Sequence, residues 1–472
     1  MIVLLIRSIW LAALFLEFYS NERKNKDVTY KEARVYLDEM SKYGSVLGLD
    51  TIRGLLRELE NPQDDLKFIH IAGTNGKGSV LAYTSTILSK AGYKTGRYVS
   101  PTVISYLEKI QVDGNWISET EFADITEQVK EAIDRLESKG EPVPTVFEAE
   151  TAMAFLYFKK KNCDLVVLET GLGGETDATN IVKNTVCAAF ATISVDHLGV
   201  IGDSLEEIAQ TKSGIIKPGC RVVAAKQQKS VSKILQKKAE SLGCTYTEAE
   251  PELMNVELDD YKGIIFSYKE YHHMKSQIAG ACQRENLATV LEVIKSLRKS
   301  GYKITEEAVR DGIYETRWQG RFTCLSEEPV VIVDGAHNED AAGKLRTSIE
   351  QYFKEKEIIY IMGVFKDKEY EKIVRILCPL ASRIYTVDLP NKERTLQGSK
   401  LADCIIDTVQ KSAEKTISVI AESSIYEAVK KAYDYAKEKA ENRVVVACGS
   451  LSYLSEVIHN VEVIKKDEEE ND

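Results

Sequence analysis

No cysteine in this chain has a second one three places away. The nine it holds (163, 187, 220, 244, 282, 324, 378, 404 and 448) are odd in number and scattered. That excludes a zinc site built on C-x-x-C pairs and a disulfide framework, and it fits a reduced, cytoplasmic location. Basic charge is also in deficit, with 62 Lys and Arg against 73 Asp and Glu and a net charge of −11. Nucleic-acid surfaces are normally basic, so nucleic acid is not an expected partner. An acidic chain can still bind a small anion where a few basic groups and backbone amides converge. Internal repeats are missing, and so is low-complexity sequence apart from the charged tail KKDEEEND. No G-x-S-x-G elbow or similar catalytic-serine signature is present.

Long apolar runs are missing as well. The opening MIVLLIRSIWLAALFL is interrupted by Arg7, lacks a basic region before it, and is followed by no A-x-A-like cleavage site. Its uninterrupted stretch, Ile9–Leu16, is too short to span a bilayer. Residues 1–27 read as an apolar extension: a packing helix, an upstream extension or a peripheral anchor, with the non-anchoring readings favoured. A membrane partner is not expected, and function should begin near Val28.

A chain of 472 residues exceeds one ordinary core and points to two or three domains. Apolar content of 44% with 29% charge is that of a globular protein. From Lys67 onward, short continuous apolar runs alternate with helical patterns. The runs are FIHIA (68–72), LVVLE (165–169), VCAAFATI (186–193), RVVAA (221–225), VVIVD (330–334), IIYIM (358–362), RIYTVDL (383–389) and RVVVAC (443–448). Continuous rather than alternating runs fit parallel strands buried on both faces. The expected fold class is α/β: an N-terminal P-loop-type ATPase domain with a mostly parallel sheet (28–300) and a smaller C-terminal Rossmann-like α/β domain (301–472). In such sheets ligands sit beyond the carboxyl ends of the strands.

Four strand ends carry chemistry. Residues 70–80, HIAGTNGKGSV, place a glycine-rich loop between a strand and a helix. Glycines let backbone N–H groups approach a phosphate, and the helix N-terminus adds a favourable field. The spacing departs from G-x-x-x-x-G-K-[ST], because Gly78 separates Lys77 from Ser79 and Ile71 stands where the first glycine would be. Gly76, Lys77, Gly78 and Ser79 are nonetheless the natural cradle. LVVLE ends in Glu169, a hard oxygen ligand for Mg²⁺ beside such a loop. SVDHLGVIG offers His197, either a structural group or a metal or phosphate contact. TKSGIIKPG carries Lys212, which composition alone reads as a surface charge. DGAHN places Asp334 where a Rossmann-type strand end would bond a ribose.

Together GTNGKGS, ETGLGGxxDATN, SxDHLGxxG, TKxGIIKPG, WQGRF, DGAHN and CGSLSYL (448–454) resemble the folylpolyglutamate synthase/dihydrofolate synthase family, part of the Mur ligase superfamily. The resemblance runs from about Thr29 to Val457, with these motifs in order. This resemblance implies a ligase that uses ATP and Mg²⁺ to activate a folate or dihydropteroate carboxylate as an acyl phosphate, which the amino group of L-glutamate then attacks. It further implies that Gly76, Lys77, Gly78 and Ser79 hold the ATP phosphates. Ser100, Glu169 and His197 would bind the metal, and Lys77, Lys212 and His197 would serve catalysis. Lys212 matches the lysine that is carbamylated in the family, and a monovalent cation is a further expected component. Asn286, Arg321, Asp334 and His337 match nucleotide contacts. Thr145 and Phe147 in PTVFE, with Thr176, Asp177 and Ala178, match folate-side positions. A monomer is expected.

Some positions depart from the family pattern. Thr102 stands where many relatives have histidine, and Glu175 replaces a basic residue. The nearest alternative is a Mur-type cell-wall amino-acid ligase, but only about forty residues separate Val28 from the phosphate loop, too few for a UDP-binding domain. A nucleotide-switched or transport ATPase would predict the ordinary loop spacing and a strand ending in aspartate; the sequence has neither.

Overall fold

The computed structural model describes residues 28–41, 44, 48–196, 198–410 and 417–470. The extension 1–27 and His197 therefore lie outside the described residues. The chain folds into two compact units. One takes the described residues up to Pro62 together with Ile117–Tyr157; the other takes Gln63–Trp116 and Phe158 onward.

The first unit is helical. Helices Tyr30–Met40 and Asp50–Glu58 pack against the long helix Glu119–Ser138. Thr29 and Glu32 form a capping box on the first of these, and Ser118 caps the long helix through the N–H of Glu121. Each side chain satisfies a backbone donor that a helix start otherwise leaves open. Leu37, Ile52, Leu55, Phe122, Val129 and Ile133 form the buried faces.

In the second unit, every apolar run of the sequence forms a strand. An eight-stranded sheet comprises β1 (Phe68–Ala72), β2 (Thr95–Tyr98), β3 (Ile110–Val112), β4 (Asn115–Trp116), β5 (Leu165–Glu169), β6 (Thr185–Phe190), β7 (Arg221–Ala224) and β8 (Thr245–Glu248). Its order is β4-β3-β2-β5-β1-β6-β7-β8. The pairings along β2-β5-β1-β6-β7-β8 are parallel, and β3 pairs antiparallel with both β2 and β4. Because β1 lies between β5 and β6, the loops leaving these three strands emerge side by side.

The helix Lys77–Lys90 is buried over most of its surface and packs on the helices Gln283–Lys299 and Glu306–Glu315. Gly312 permits that approach, since a Cβ there would lie 2.6 Å from the Ile87 backbone. A three-stranded antiparallel sheet, β9 (Met254–Asp260), β10 (Gly263–Tyr268) and β11 (Tyr271–Ser276), adds Phe266, Tyr268 and Met274 to the same core. The expected cut near residue 300 falls inside this core, because Ala308, Val309 and Ile313 bury their side chains in it.

A six-stranded sheet follows, built from β12 (Thr323–Glu327), β13 (Val330–Val333), β14 (Glu357–Met362), β15 (Ala381–Thr386), β16 (Ser418–Ala421) and β17 (Arg443–Cys448). Its order is β12-β13-β17-β14-β15-β16, parallel except for β12. Apolar clusters cover both faces, as the continuous runs require. Among the described residues, no helix is long and apolar enough to cross a membrane.

Candidate functional site

One cleft collects the carboxyl ends of β1, β5 and β6 together with the loop that follows β13. Its floor is the turn from β1 into the helix Lys77–Lys90. Gly73 and Gly76 have φ of +149° and +92°, values that side chains rarely adopt. A Cβ on Gly76 would fall onto Oδ1 of Asn286, and one on Gly78 would lie 2.8 Å from Nε1 of Trp318. Gly76 caps the helix without offering a side chain, so the first N–H groups of the helix remain available to a ligand.

Two lysines meet above this turn. Lys77 Nζ donates to the carbonyls of Gly73 (3.2 Å) and Thr74 (3.4 Å) and stands 3.9 Å from Glu169 Oε1. Lys212 Nζ, buried, donates to Gly73 O at 3.0 Å. Burial, and then the charge of Lys77, bring the Lys212 ammonium down to about 7, while Asp196 and Asp177 pull the other way. The helix Leu205–Ser213 turns Lys212 inward, away from the surface position that composition alone suggests.

Glu169 is buried, and burial raises its carboxyl above the ordinary value. Lys77, Arg321 and the N–H of Ser100 oppose that rise. Asp334 behaves alike, raised by burial and held down mainly by Arg321. Its carboxylate accepts from the N–H groups of Phe322 (2.9 Å) and Ala336 (2.8 Å), which shapes the DGAHN turn. Arg321 thus serves two carboxylates that line the cleft. His337 donates Nδ1–H to Gly335 O at 2.8 Å, leaving Nε2 as an acceptor, and burial lowers its pKa to about 4. It is a neutral imidazole at physiological pH.

Ser79, Ser100, Glu169, Asn286, Arg321, Asp334 and His337 all line the cleft with Gly76, Lys77, Gly78 and Lys212. Among the described residues, no group of three His, Cys, Asp or Glu side chains could hold a metal. The oxygens of Ser79, Ser100 and Glu169 are hard donors of the kind Mg²⁺ takes, and the incompletely compensated carboxylate of Glu169 fits a nearby cation. Thr176, Asp177 and Ala178 are not part of the lining. The Asp177 carboxylate accepts from the N–H groups of Leu172 (2.7 Å) and Thr179 (3.0 Å) and from the Thr179 hydroxyl. Thr145 and Phe147 belong to the helical unit, where Thr145 bonds Glu148 through its N–H (2.8 Å) and hydroxyl (2.9 Å).

Known proteins resemble the chain along nearly its whole length. Residues 71–294 match the Mur ligase middle domain and residues 320–451 the Mur ligase glutamate ligase domain. A dihydrofolate synthase/folylpolyglutamate synthase of Bacillus subtilis is 31% identical over 438 residues, covering 91% of this chain and 98% of the relative. The chain belongs to the folylpolyglutamate synthase/dihydrofolate synthase family. The crystal structure of a folylpolyglutamate synthase from Thermotoga maritima matches with a TM-score of 0.78 at 30% identity, covering 92% of this chain and 96% of that one. Escherichia coli FolC in complex with DHPP and ADP matches with a TM-score of 0.76 at 27% identity, covering 92% and 98%.

Within this family fold, the cleft also contains residues that motif reading passed over. Asn75, Asp196, Glu285, Asp340 and Lys344 line it. Asn75 and Asp196 sit inside the quoted motifs, but a neutral amide and a carboxylate beside a histidine gave no signal of their own. Lys344 pairs with Glu285 at 2.7 Å across helices far apart in sequence, which spacing cannot reveal.

Proposed function

We propose that the chain is an ATP-dependent ligase that adds L-glutamate to a folate, with tetrahydrofolates and dihydropteroate as the candidate acceptors. The observation that carries this reading is the convergence of Lys77, Lys212, Glu169 and Arg321 around a helix start that lines the cleft, in a member of this family. Acid–amino-acid ligation needs no enzyme nucleophile. It needs phosphates held in line and their charge spread.

The helix-start N–H groups of the cradle and the Lys77 ammonium would bind the β- and γ-phosphates of ATP. Ser79, Ser100 and Glu169, with His197 by family resemblance, would hold Mg²⁺, which supplies Lewis-acid stabilisation of charge on the transferred phosphoryl group. The acceptor carboxylate takes the γ-phosphoryl group, forming a carboxylic–phosphoric anhydride and ADP. The amine of glutamate then attacks the acyl carbon, the amide forms, and inorganic phosphate leaves. Arg321 would keep Asp334 and Glu169 ionised during this sequence, and neutral His337 would offer Nε2 as an acceptor.

A lysine brought near 7 is largely an amine at slightly alkaline pH, the form that adds carbon dioxide to give a carbamate. We therefore propose that Lys212 is carbamylated, with a monovalent cation as a further component. Thr145, Phe147, Thr176, Asp177 and Ala178 remain the folate-side positions implied by resemblance, with Asp177 acting by shaping its loop. A monomer in the cytoplasm is the working form.

The test is phosphate release from purified protein given ATP, Mg²⁺, L-glutamate and either tetrahydrofolate or dihydropteroate, with mass detection of products. Release should require all components and yield a product longer by one glutamyl group. Release that is indifferent to glutamate, without a lengthened product, overturns the assignment.

A further inference from the structure

Asn75 lies between the glycines of the phosphate loop, yet its side chain does not face the phosphate cradle. It reaches the helix Glu339–Tyr352, which belongs with the six-stranded sheet. Nδ2 donates to Asp340 Oδ2 at 2.7 Å and to Asn338 Oδ1 at 3.2 Å, and Oδ1 accepts from Asn338 Nδ2 at 3.1 Å. The two amides thus pair reciprocally, and the carboxylate takes the remaining donor.

Asn338 is saturated by the same arrangement. Its Oδ1 also caps the helix through the N–H of Ala341 (2.9 Å), and its Nδ2 also donates to Asp196 (3.2 Å). Asp196 in turn pairs with Lys368, from the loop after β14, at 3.2 Å. On the other side, the position of Asn75 is set by the loop itself: the N–H groups of Thr74 and Asn75 both bond Thr192 O, at 2.8 and 3.2 Å. The cluster therefore links the phosphate loop and the 192–196 segment of the first sheet to two loops of the second.

We infer that Asn75, with Asn338 and Asp340, is a positioning latch that docks the second sheet onto the phosphate loop. The latch sets the distance between Lys77 and the groups carried by the second sheet, namely Asp334 and His337. Its core is an uncharged amide pair, flanked by the Asp340 carboxylate and by the Asp196–Lys368 ion pair.

The test exploits the donor pattern. Asn75→Asp removes both donors and sets a carboxylate against Asp340. Asp340→Asn alone keeps an acceptor facing Asn75. The double exchange Asn75→Asp/Asp340→Asn restores the contact to residue 340 with donor and acceptor reversed and leaves net charge unchanged, while Asn338 Oδ1 keeps only its bond from Ala341 N–H. Small-angle X-ray scattering of the free protein should show a larger radius of gyration for Asn75→Ala and Asn75→Asp than for wild type, and a return towards wild type in the double exchange. In glutamate ligation, kcat should fall about tenfold in the single Asn75 variants, more than KM for ATP rises, and recover in the double exchange. Scattering identical in wild type and Asn75→Ala, or a double exchange no better than Asn75→Asp, overturns the latch. The kinetic arm rests on the folate-ligase reading and the scattering arm does not, so their failures are distinguishable.

Discussion

Lys77 and Lys212 donate to one carbonyl oxygen, that of Gly73, at 3.2 and 3.0 Å. Burial first, and then the charge of the neighbouring Lys77, bring Lys212 down to about 7. Beside the phosphate loop, therefore, stands a lysine whose charge depends on pH.

That arrangement has a stability signature. The folded pKa of Lys212, about 7, lies below the ordinary 10.5. The unfolded chain consequently binds more protons between these values, and stability rises with pH across that window. Below pH 7 the cost to the folded state is complete, on the order of 4 kcal/mol; above about pH 10.5 it is gone. Lys212→Met should therefore be more stable than wild type at pH 6, less the lost bond to Gly73, with the difference shrinking as pH rises towards 10. Urea unfolding at several pH values checks this. A pH-independent difference would place the Lys212 ammonium in solvent.

The turn below the lysines makes a second prediction. At φ +92°, any side chain at Gly76 is strained, at a cost of about 1–3 kcal/mol. Gly76→Ala also drives Cβ into Asn286. Asn286→Ala in the same chain should remove the collision but not the strain, and so recover only part of the stability. Thermal unfolding of the two single variants and the double separates the terms. Full recovery would mean that the collision alone makes glycine necessary.

How far the sequence reaches is visible around these residues. The buried parallel strands were legible because both faces of each strand are apolar, and the phosphate loop because a strand, glycines and a helix occur in order. The antiparallel sheet Met254–Ser276 was not, since its mixed runs, such as MNVELDD and YHHMKS, bury only some of their side chains. Lys212 looked like a surface charge because nothing local shows that its helix turns it towards Gly73. The Asn75–Asn338 pair joins residues 263 positions apart through neutral amides, which leave no mark in composition or periodicity.

Arg321 makes the third prediction, because it is the shared counter-charge of Glu169 and Asp334. Arg321→Met should push both carboxyls further above their ordinary values. A carboxyl raised in the folded state binds more protons there than in the unfolded chain, so stability lost at neutral pH returns on acidification. The variant should be about 1–3 kcal/mol less stable than wild type at pH 8, with the gap narrowing towards pH 5. Denaturation midpoints at the two pH values measure it. A gap that widens on acidification would show that Arg321 acts on neither carboxylate.

The last prediction concerns His70, inside β1 directly below the loop. Its Nε2 lies 2.9 Å from Thr179 Oγ1, and the Thr179 hydroxyl donates to Asp177. Nε2 must then carry the proton, so His70 supports, through Thr179 and Asp177, the glycine-rich loop after β5. Nδ1 is buried without a partner, and burial, followed by the charge of Lys217, lowers the pKa to about 3. The unfolded chain takes up a proton near 6.5 that the folded chain refuses until about 3, so stability falls across this window as pH drops, by about 1.4 kcal/mol per unit. Glutamine places an amide nitrogen near the position of Nε2 and does not titrate. His70→Gln should therefore keep the Thr179 contact and lose this share of the acid sensitivity. Its unfolding midpoint at pH 4.5 should lie closer to its value at pH 7 than the wild-type midpoint does. Equal acid sensitivity in both proteins would mean that His70 is protonated in the fold, with Nδ1 paired rather than bare.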